Sequence, residues 1–173
     1  MTDMLTAYRA DLHARRLAEA TITVRLLVAG ILARRYDLAT MTTNDLAEIE
    51  QHQWTRRSPQ TQRSYRQHTR DLCAWMVQAG VRGDDPSVAL HLPRVARGRP
   101  RPMPEDDLEL ALAAGGEELR TWVALAAFAG LRCVEIASLD RADITGDTEP
   151  ELRVRGKGGK ERVVPIGGGL LRE

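Results

Sequence analysis

An isolated arginine, Arg132, lies within a largely apolar stretch at positions 129–136, where it follows a glycine that interrupts a helical pattern. A guanidinium in such surroundings must be paired or must face a cleft, because burying an unpaired charge is costly. Glu135 follows one helical turn later and is close enough to orient it. The pattern indicates a cation facing an anionic group in a cleft or, equally, a structural Arg–Glu pair.

A glycine-rich loop, Gly156-Lys157-Gly158-Gly159-Lys160, brings two lysines close to a backbone that an anion can approach. It is not a Walker A loop, because the Gly-x-x-x-x-Gly-Lys-Ser/Thr pattern is absent and a strand-like run follows instead of a helix. The loop predicts a hairpin tip that reaches a phosphate. A plain flexible turn with solvated lysines fits the same residues.

Three arginines, Arg63, Arg66 and Arg70, are spaced three and four residues apart, so they share one stripe of a helix. The stripe is turned away from the apolar face of that helix, and Thr61 and Gln67 lie on or beside it. Arginine pairs with guanine edges or phosphates, and glutamine pairs with adenine. The face therefore suits a DNA major groove, although a solvated helix face would look similar.

The region before residue 93 is predicted to be a small bundle of four helices, because apolar residues recur there at helical spacing. Ser58-Pro59 predicts a cap and first turn for the fourth helix, and Gly80 predicts its end. Thr42 to Asp45 form the cap region of the third. The positions that define the four helices are Leu5, Tyr8 and Leu12; Val24, Leu27, Val28 and Ile31; Leu46 and Ile49; and Tyr65, Leu72, Met76 and Ala79.

The segment 93–104 contains four prolines, four arginines and a glycine, which predicts an extended basic linker between two domains. Beyond it, residues 105–173 are predicted to form a second, α+β domain. Its helix at 118–129 is apolar enough to be expected at the centre of a core. The strand-like runs 151–155 and 161–166 flank the glycine loop, so they predict a β-hairpin.

Composition and charge exclude some classes of protein and favour others. No apolar run among the 173 residues approaches the roughly 20 that a membrane span needs, and the first residues show no signal-peptide pattern. Two cysteines make a disulfide framework improbable and favour a reducing cytoplasm. Residues 1–104 carry 16 arginines and 10 acidic residues, a formal charge of +6, whereas residues 105–173 carry −5. The first region is therefore a candidate for a polyanionic partner.

Taken together, these motifs resemble the tyrosine recombinases, the phage-integrase and Xer-like family. Ala-Gly-Leu-Arg-Cys-Val-Glu-Ile at 129–136 is similar to the family's box with the first catalytic arginine, and the run 154–166 is similar to its lysine-bearing β-hairpin. The helical region 1–92 with its basic linker resembles the family's core-binding DNA clamp. The resemblance implies a mainly α fold, in which a four-helix SAM-like core-binding bundle precedes a truncated α+β catalytic domain with a β-hairpin.

The resemblance also implies a chemistry, that of a DNA strand-transferase. Arg132 would stabilise charge on the scissile phosphate, Glu135 would support the site, and Lys157 would protonate the leaving 5′ oxygen. We also expect Lys160 and Arg162 to contact DNA. No metal or nucleotide cofactor and no small-molecule substrate are implied. The expected partners are double-stranded DNA and other recombinase subunits, in the cytoplasm of a bacterial or phage-infected cell.

The sequence departs from the family pattern after the hairpin. The family places a His-x-x-Arg box and a nucleophilic tyrosine downstream, but no His or Tyr follows Lys157 here, and the three tyrosines are Tyr8, Tyr36 and Tyr65. We therefore expect that this chain alone neither cleaves nor joins DNA. A non-catalytic module that occupies attachment sites and a helical protein-interaction domain are the alternative interpretations.

Overall fold

The computed structural model describes residues 2–96, 98–146, 149–156 and 159–167. The chain divides into two compact units, Met1–Gly98 and Arg99–Glu173, and each is described by itself. The described chain is mainly helical, with a helical bundle followed by an α+β unit that contains a β-hairpin, so the predicted fold class is confirmed. The assignment of domains to 1–92, 93–104 and 105–173 remains a prediction. None of the described helices is long and apolar enough to span a bilayer.

In its described residues, the N-terminal unit is a bundle of four α-helices with two short helical turns. The α-helices are α1 (Thr2–Ala14), α2 (Glu19–Ala33), α3 (Thr43–Ile49) and α4 (Pro59–Gln78); a π-helical turn covers Glu50–Trp54 and a 3-10 turn covers Pro86–Ala89. One apolar core joins them, because each α-helix turns one stripe of aliphatic or aromatic residues inward. Its largest fully buried side chains are Trp54, Tyr8, Leu12, Leu32, Leu38, Met41, Leu46, Ile49, Leu72 and Met76.

The helix boundaries follow from local hydrogen bonding, as predicted. Thr42 caps α3 through a reciprocal arrangement in which its hydroxyl accepts from the Asp45 amide and the Asp45 carboxylate accepts from the Thr42 amide. Ser58 caps α4 by accepting from the Thr61 amide, and Pro59 occupies the first helical position, where it sacrifices no hydrogen bond. Gly80 then takes a φ of +69°, which a residue with a side chain rarely adopts.

The C-terminal unit begins, in its described part, with three helices and continues into a small sheet. The helices are α5 (Glu105–Ala114), α6 (Glu117–Phe128) and α7 (Cys133–Ala137); a 3-10 turn covers Arg141–Asp143, and the strands are β1 (Ile144–Thr145), β2 (Glu151–Arg155) and β3 (Glu161–Pro165). The strands pair antiparallel in the order β1-β2-β3. The β2–β3 hairpin was predicted. The two-residue β1 was not, because so short a run carries no alternation.

The expectation that the helix after Gly116 is central to a core is wrong. In α6 only Ala124 is buried, and Leu119, Trp122 and Phe128 are each about half exposed. The core of this unit is small: Leu131, Leu152 and Val154 are buried, with partly buried neighbours such as Leu125 and Val164. An apolar composition predicts burial only where another element faces each side of the helix, and in the described part of this unit the core contacts only one stripe of α6.

Candidate nucleic-acid interface

Arg132 is placed at the junction of α6 and α7 by a sharp change of chain direction. Gly130 has a φ of +63°, and Arg132 is then extended as the residue that precedes the first turn of α7. Glu135, in that first turn, accepts a 2.9 Å hydrogen bond from the Arg132 amide and a 3.0 Å hydrogen bond from its Nη1. The Arg132 side chain nevertheless remains 77% exposed. The turn therefore anchors the backbone and tethers one edge of a guanidinium that faces solvent.

A second arginine, Arg162 on β3, holds the same carboxylate. Its Nη1 and Nη2 donate to the two oxygens of Glu135 at 2.8 and 2.9 Å, which is a bidentate fork-to-carboxylate pair. The Glu135 side chain is only 6% exposed. The carboxylate thus accepts four hydrogen bonds from two residues, and this satisfies a buried charge that would otherwise be costly.

These hydrogen bonds lower the pKa of Glu135 to about 2. The largest cause is the pair with Arg162, followed by the hydrogen bond from the Arg132 amide, while burial acts in the opposite direction. Glu135 is therefore ionised throughout the physiological range. The same pair raises the pKa of the Arg162 guanidinium, so both partners stay charged.

We expect the C-terminal unit to lose stability in acid through Glu135. A carboxylate whose pKa is lowered on folding stabilises the folded state fully above its unfolded pKa, here 4.5, and this contribution disappears as the pH falls toward about 2. Thermal unfolding followed between these pH values should show this loss in the wild type. The Glu135→Gln variant should be less stable at neutral pH and should lack this part of the acid dependence. Parallel curves for the two proteins would contradict the prediction.

Arg132, Glu135 and Arg162 line an open groove of about 770 Å³ between α7 and the hairpin. Lys160, which is exposed, lines it too, together with Val134, Arg155, Gly156 and Glu161. Four cationic and two acidic side chains give these lining residues a net charge of +2. The predicted site residue Lys157 lies outside the described residues. The groove therefore brings together Arg132, Glu135, Lys160 and Arg162, and its charge suits an anionic group such as a phosphate.

The arginine stripe of α4 differs from its prediction at Arg66. The sequence predicts a DNA-contacting side chain on a stripe turned away from the apolar face, yet Arg66 is only 15% exposed, pairs with Glu50 and donates to the His91 carbonyl at 3.1 Å. The π-helical turn brings Glu50 against α4, and a partly buried carboxylate attracts the nearest guanidinium. Arg66 thus links three segments of the N-terminal unit.

The other predicted DNA-contacting side chains of α4 differ in whether they are already hydrogen-bonded within the protein. The Thr61 hydroxyl is hydrogen-bonded to Ser58 in the helix cap, and Gln67 donates to Asp71 at 3.0 Å. Arg63 is exposed and donates to the Pro93 carbonyl at 3.0 Å. Arg70 is also exposed, and no charged partner lies against it in the part of the chain that the structure describes. Arg63 also lines a shallow groove with Gln60, Arg94, Val95, Ala96 and Gly98.

Comparison with known proteins identifies relatives that are similar in sequence. No protein-family model matches it. The tyrosine recombinase XerC of Erythrobacter litoralis is 32% identical in an alignment that covers 95% of this chain and 51% of the relative. The tyrosine recombinase XerD of Xanthomonas campestris is 38% identical over 104 residues, or 57% of this chain and 32% of the relative. These relatives support membership of the chain in the tyrosine recombinase family. The chain spans about a third to a half of the length of these relatives.

Solved structures share the fold of this chain. A lambda integrase dimer bound to a COC′ core site superposes with a TM-score of 0.77 at 18% identity, over 98% of this chain and 50% of that one. XerH bound to a palindromic difH substrate gives a TM-score of 0.61 at 19% identity, over 92% of this chain and 52% of that one. At 18% and 19% sequence identity, this structural similarity shows a shared fold and nothing about function.

The sequence interpretation missed the pairing of Arg162 with Glu135. A signal was present in the alternation of β3, where Arg162 and Val164 take the inner positions and Glu161 and Val163 the exposed ones. An arginine at an inner strand position needs a carboxylate partner, because its charge is partly removed from water. The alternation identifies the need for a partner, but it does not say which of the fourteen acidic residues in 105–173 meets it.

Proposed function

We propose that the chain binds duplex DNA and carries part of the active site of a site-specific recombinase. The observation that carries the proposal is the exposed guanidinium of Arg132, tethered by Glu135 in a groove of net positive charge. Phosphoryl transfer develops negative charge on the non-bridging oxygens, and a preorganised cation at that point lowers the barrier. Duplex DNA supplies such a phosphate.

Within this proposal each site residue has a distinct role. Arg132 stabilises the charge on the scissile phosphate, and Glu135 holds Arg132 in place. Lys157 is the general acid that protonates the leaving 5′ oxygen, a role that rests on the family resemblance. Lys160, exposed at the same groove, contacts a neighbouring phosphate. No metal or nucleotide cofactor is needed for these roles.

The N-terminal unit supplies the second half of the DNA contact in this proposal. Arg63, Arg70 and Arg94 present cationic side chains for the DNA backbone, and Arg63 also fixes the strand of chain that bears Arg94 by donating to Pro93. Such contacts position a protein on the duplex and carry most of its affinity. Related structures include an integrase dimer on a core site and a tetramer on a Holliday junction, which supports other recombinase subunits as partners. The proposed setting is the cytoplasm of a bacterial or phage-infected cell.

A second candidate function, DNA binding without cleavage, is favoured by the tyrosines. Tyr8, Tyr36 and Tyr65 all pack against the core of the N-terminal unit, and the hydroxyls of Tyr8 and Tyr36 are buried. A nucleophile must reach the phosphorus in line with the leaving oxygen, which a hydroxyl packed in a core does not do. The 173 residues would then hold a DNA site without forming the covalent link.

One experiment tests both functions. The 173-residue chain is incubated with a fluorescent duplex carrying a nick, and the mixture is analysed on native and on denaturing gels. We expect a shifted complex on the native gel and no protein–DNA band on the denaturing gel. Absence of the native complex at low salt would overturn DNA binding. A covalent band lost in an Arg132→Ala variant would show that the chain cleaves DNA and would eliminate the second candidate.

A further inference from the structure

The two arginines on Glu135 use their donors in different ways. Arg162 commits both terminal nitrogens to the carboxylate, whereas Arg132 commits only Nη1. Their side chains are 39% and 77% exposed. Among the described residues, Arg132 therefore keeps its other side-chain donors for a ligand in the groove, whereas both terminal nitrogens of Arg162 already donate to the protein.

The charges of Arg132, Glu135 and Arg162 explain why the carboxylate has two arginine partners. With Arg132 as its only partner, the ionised Glu135 would cancel the positive charge that a phosphate requires. Arg162 adds a second cation on the same carboxylate, so the three side chains carry a net charge of +1. Arg162 also immobilises the carboxylate through two parallel hydrogen bonds, which a single flexible partner cannot do.

The strand geometry makes Arg162 a rigid support. It pairs with Val154, a fully buried residue of β2, and it continues the inner row of β3 that includes Val164. Glu135 is held at the first turn of α7 by the Arg132 amide. The hairpin and the helix thus meet at one carboxylate, and Arg132 is fixed by both.

From this geometry we propose that Arg162 is a positioning residue, which acts on the phosphate through Glu135 and Arg132 and makes no phosphate contact of its own. The inference rests on the proposed function of the groove. It assigns Arg162 a different task from the DNA contact that we expected from the sequence.

The first arm of the test needs no DNA. Arg162→Lys keeps the charge and removes the fork, and Arg153→Lys, on the exposed side of β2, is the matched control. By NMR of the folded chain, Arg162→Lys should raise the pKa of Glu135 from about 2 toward 4.5 and should shift and broaden the Nε–H resonance of Arg132. The control should do neither. An unchanged Arg132 resonance in Arg162→Lys would overturn the inference.

The second arm is a double-mutant cycle in duplex binding, measured by fluorescence anisotropy. Arg162→Lys should weaken binding about threefold to tenfold in the wild-type background, and it should have no effect in an Arg132→Ala background because its action passes through Arg132. Equal factors in both backgrounds would show a phosphate contact by Arg162 itself and would overturn the inference.

One further outcome separates this inference from the proposed function. If Arg132→Ala leaves duplex binding unchanged while the first arm behaves as expected, the phosphate role of the groove fails but the positioning geometry stands. Glu135→Gln is the second variant if Arg162→Lys does not fold. It retains the side-chain shape, and it should reproduce the changed Arg132 resonance; a wild-type resonance there would also overturn the inference.

Discussion

Replacing Arg82 with alanine should lower the free energy of unfolding of the N-terminal unit by about 3 kcal/mol. The Arg82 side chain is only 4% exposed. Its Nη1 donates to the Leu38 carbonyl at 3.0 Å and its Nη2 to the Met41 carbonyl at 2.9 Å, while Asp84 pairs with both Nε and Nη2. Removal of the guanidinium leaves two part-buried carbonyls without these donors and opens a gap beneath the loop between α2 and α3.

Denaturant unfolding of three variants measures this effect. Arg82→Lys retains the charge but cannot reach both carbonyls with a planar fork, so we expect it to lose about half as much stability as Arg82→Ala. Arg56→Ala, an exposed arginine of the same unit, is the control and should change stability by less than about 0.5 kcal/mol. Similar unfolding midpoints for Arg82→Ala and Arg56→Ala would show that the bonds from Arg82 contribute nothing.

A fourfold rise in salt concentration should weaken duplex binding at least about 10²-fold. Each phosphate contact by a lysine or arginine releases condensed counterions, so the logarithm of the affinity falls by about 0.9 per contact for each tenfold rise in salt. The cationic side chains proposed as contacts are Arg63, Arg70, Arg94, Arg132 and Lys160. Anisotropy titrations over a salt series give the slope directly.

The slope also tests which arginines make the contacts. A variant with Arg63→Gln and Arg70→Gln should reduce the salt slope by about two, whereas Arg153→Gln, with the same type of charge change on the exposed side of β2, should leave it unchanged. A flat salt response of the wild type would contradict the proposed DNA-binding surface. An equal salt slope in all three proteins would show that Arg63 and Arg70 of α4 do not make the phosphate contacts.

Local sequence signals determined the elements of this protein. Ser58 and Pro59 start α4 and Gly80 follows its end because capping and positive φ are properties of a few adjacent residues. The β2–β3 hairpin follows from alternation around glycines for the same reason. The partnership of Arg132 with Glu135 was also accessible, because both residues lie within one helical turn.

Tertiary structure alone decided which arginine side chains form ion pairs within the protein. Arg66 and Arg70 look equivalent on a helical stripe, but Glu50 comes from another segment and occupies only Arg66. Arg162 meets Glu135 across 27 positions of sequence, and α6 is exposed although its composition is apolar. Periodicity reports which side of an element faces inward, whereas pairing and burial depend on what the rest of the chain places opposite that side.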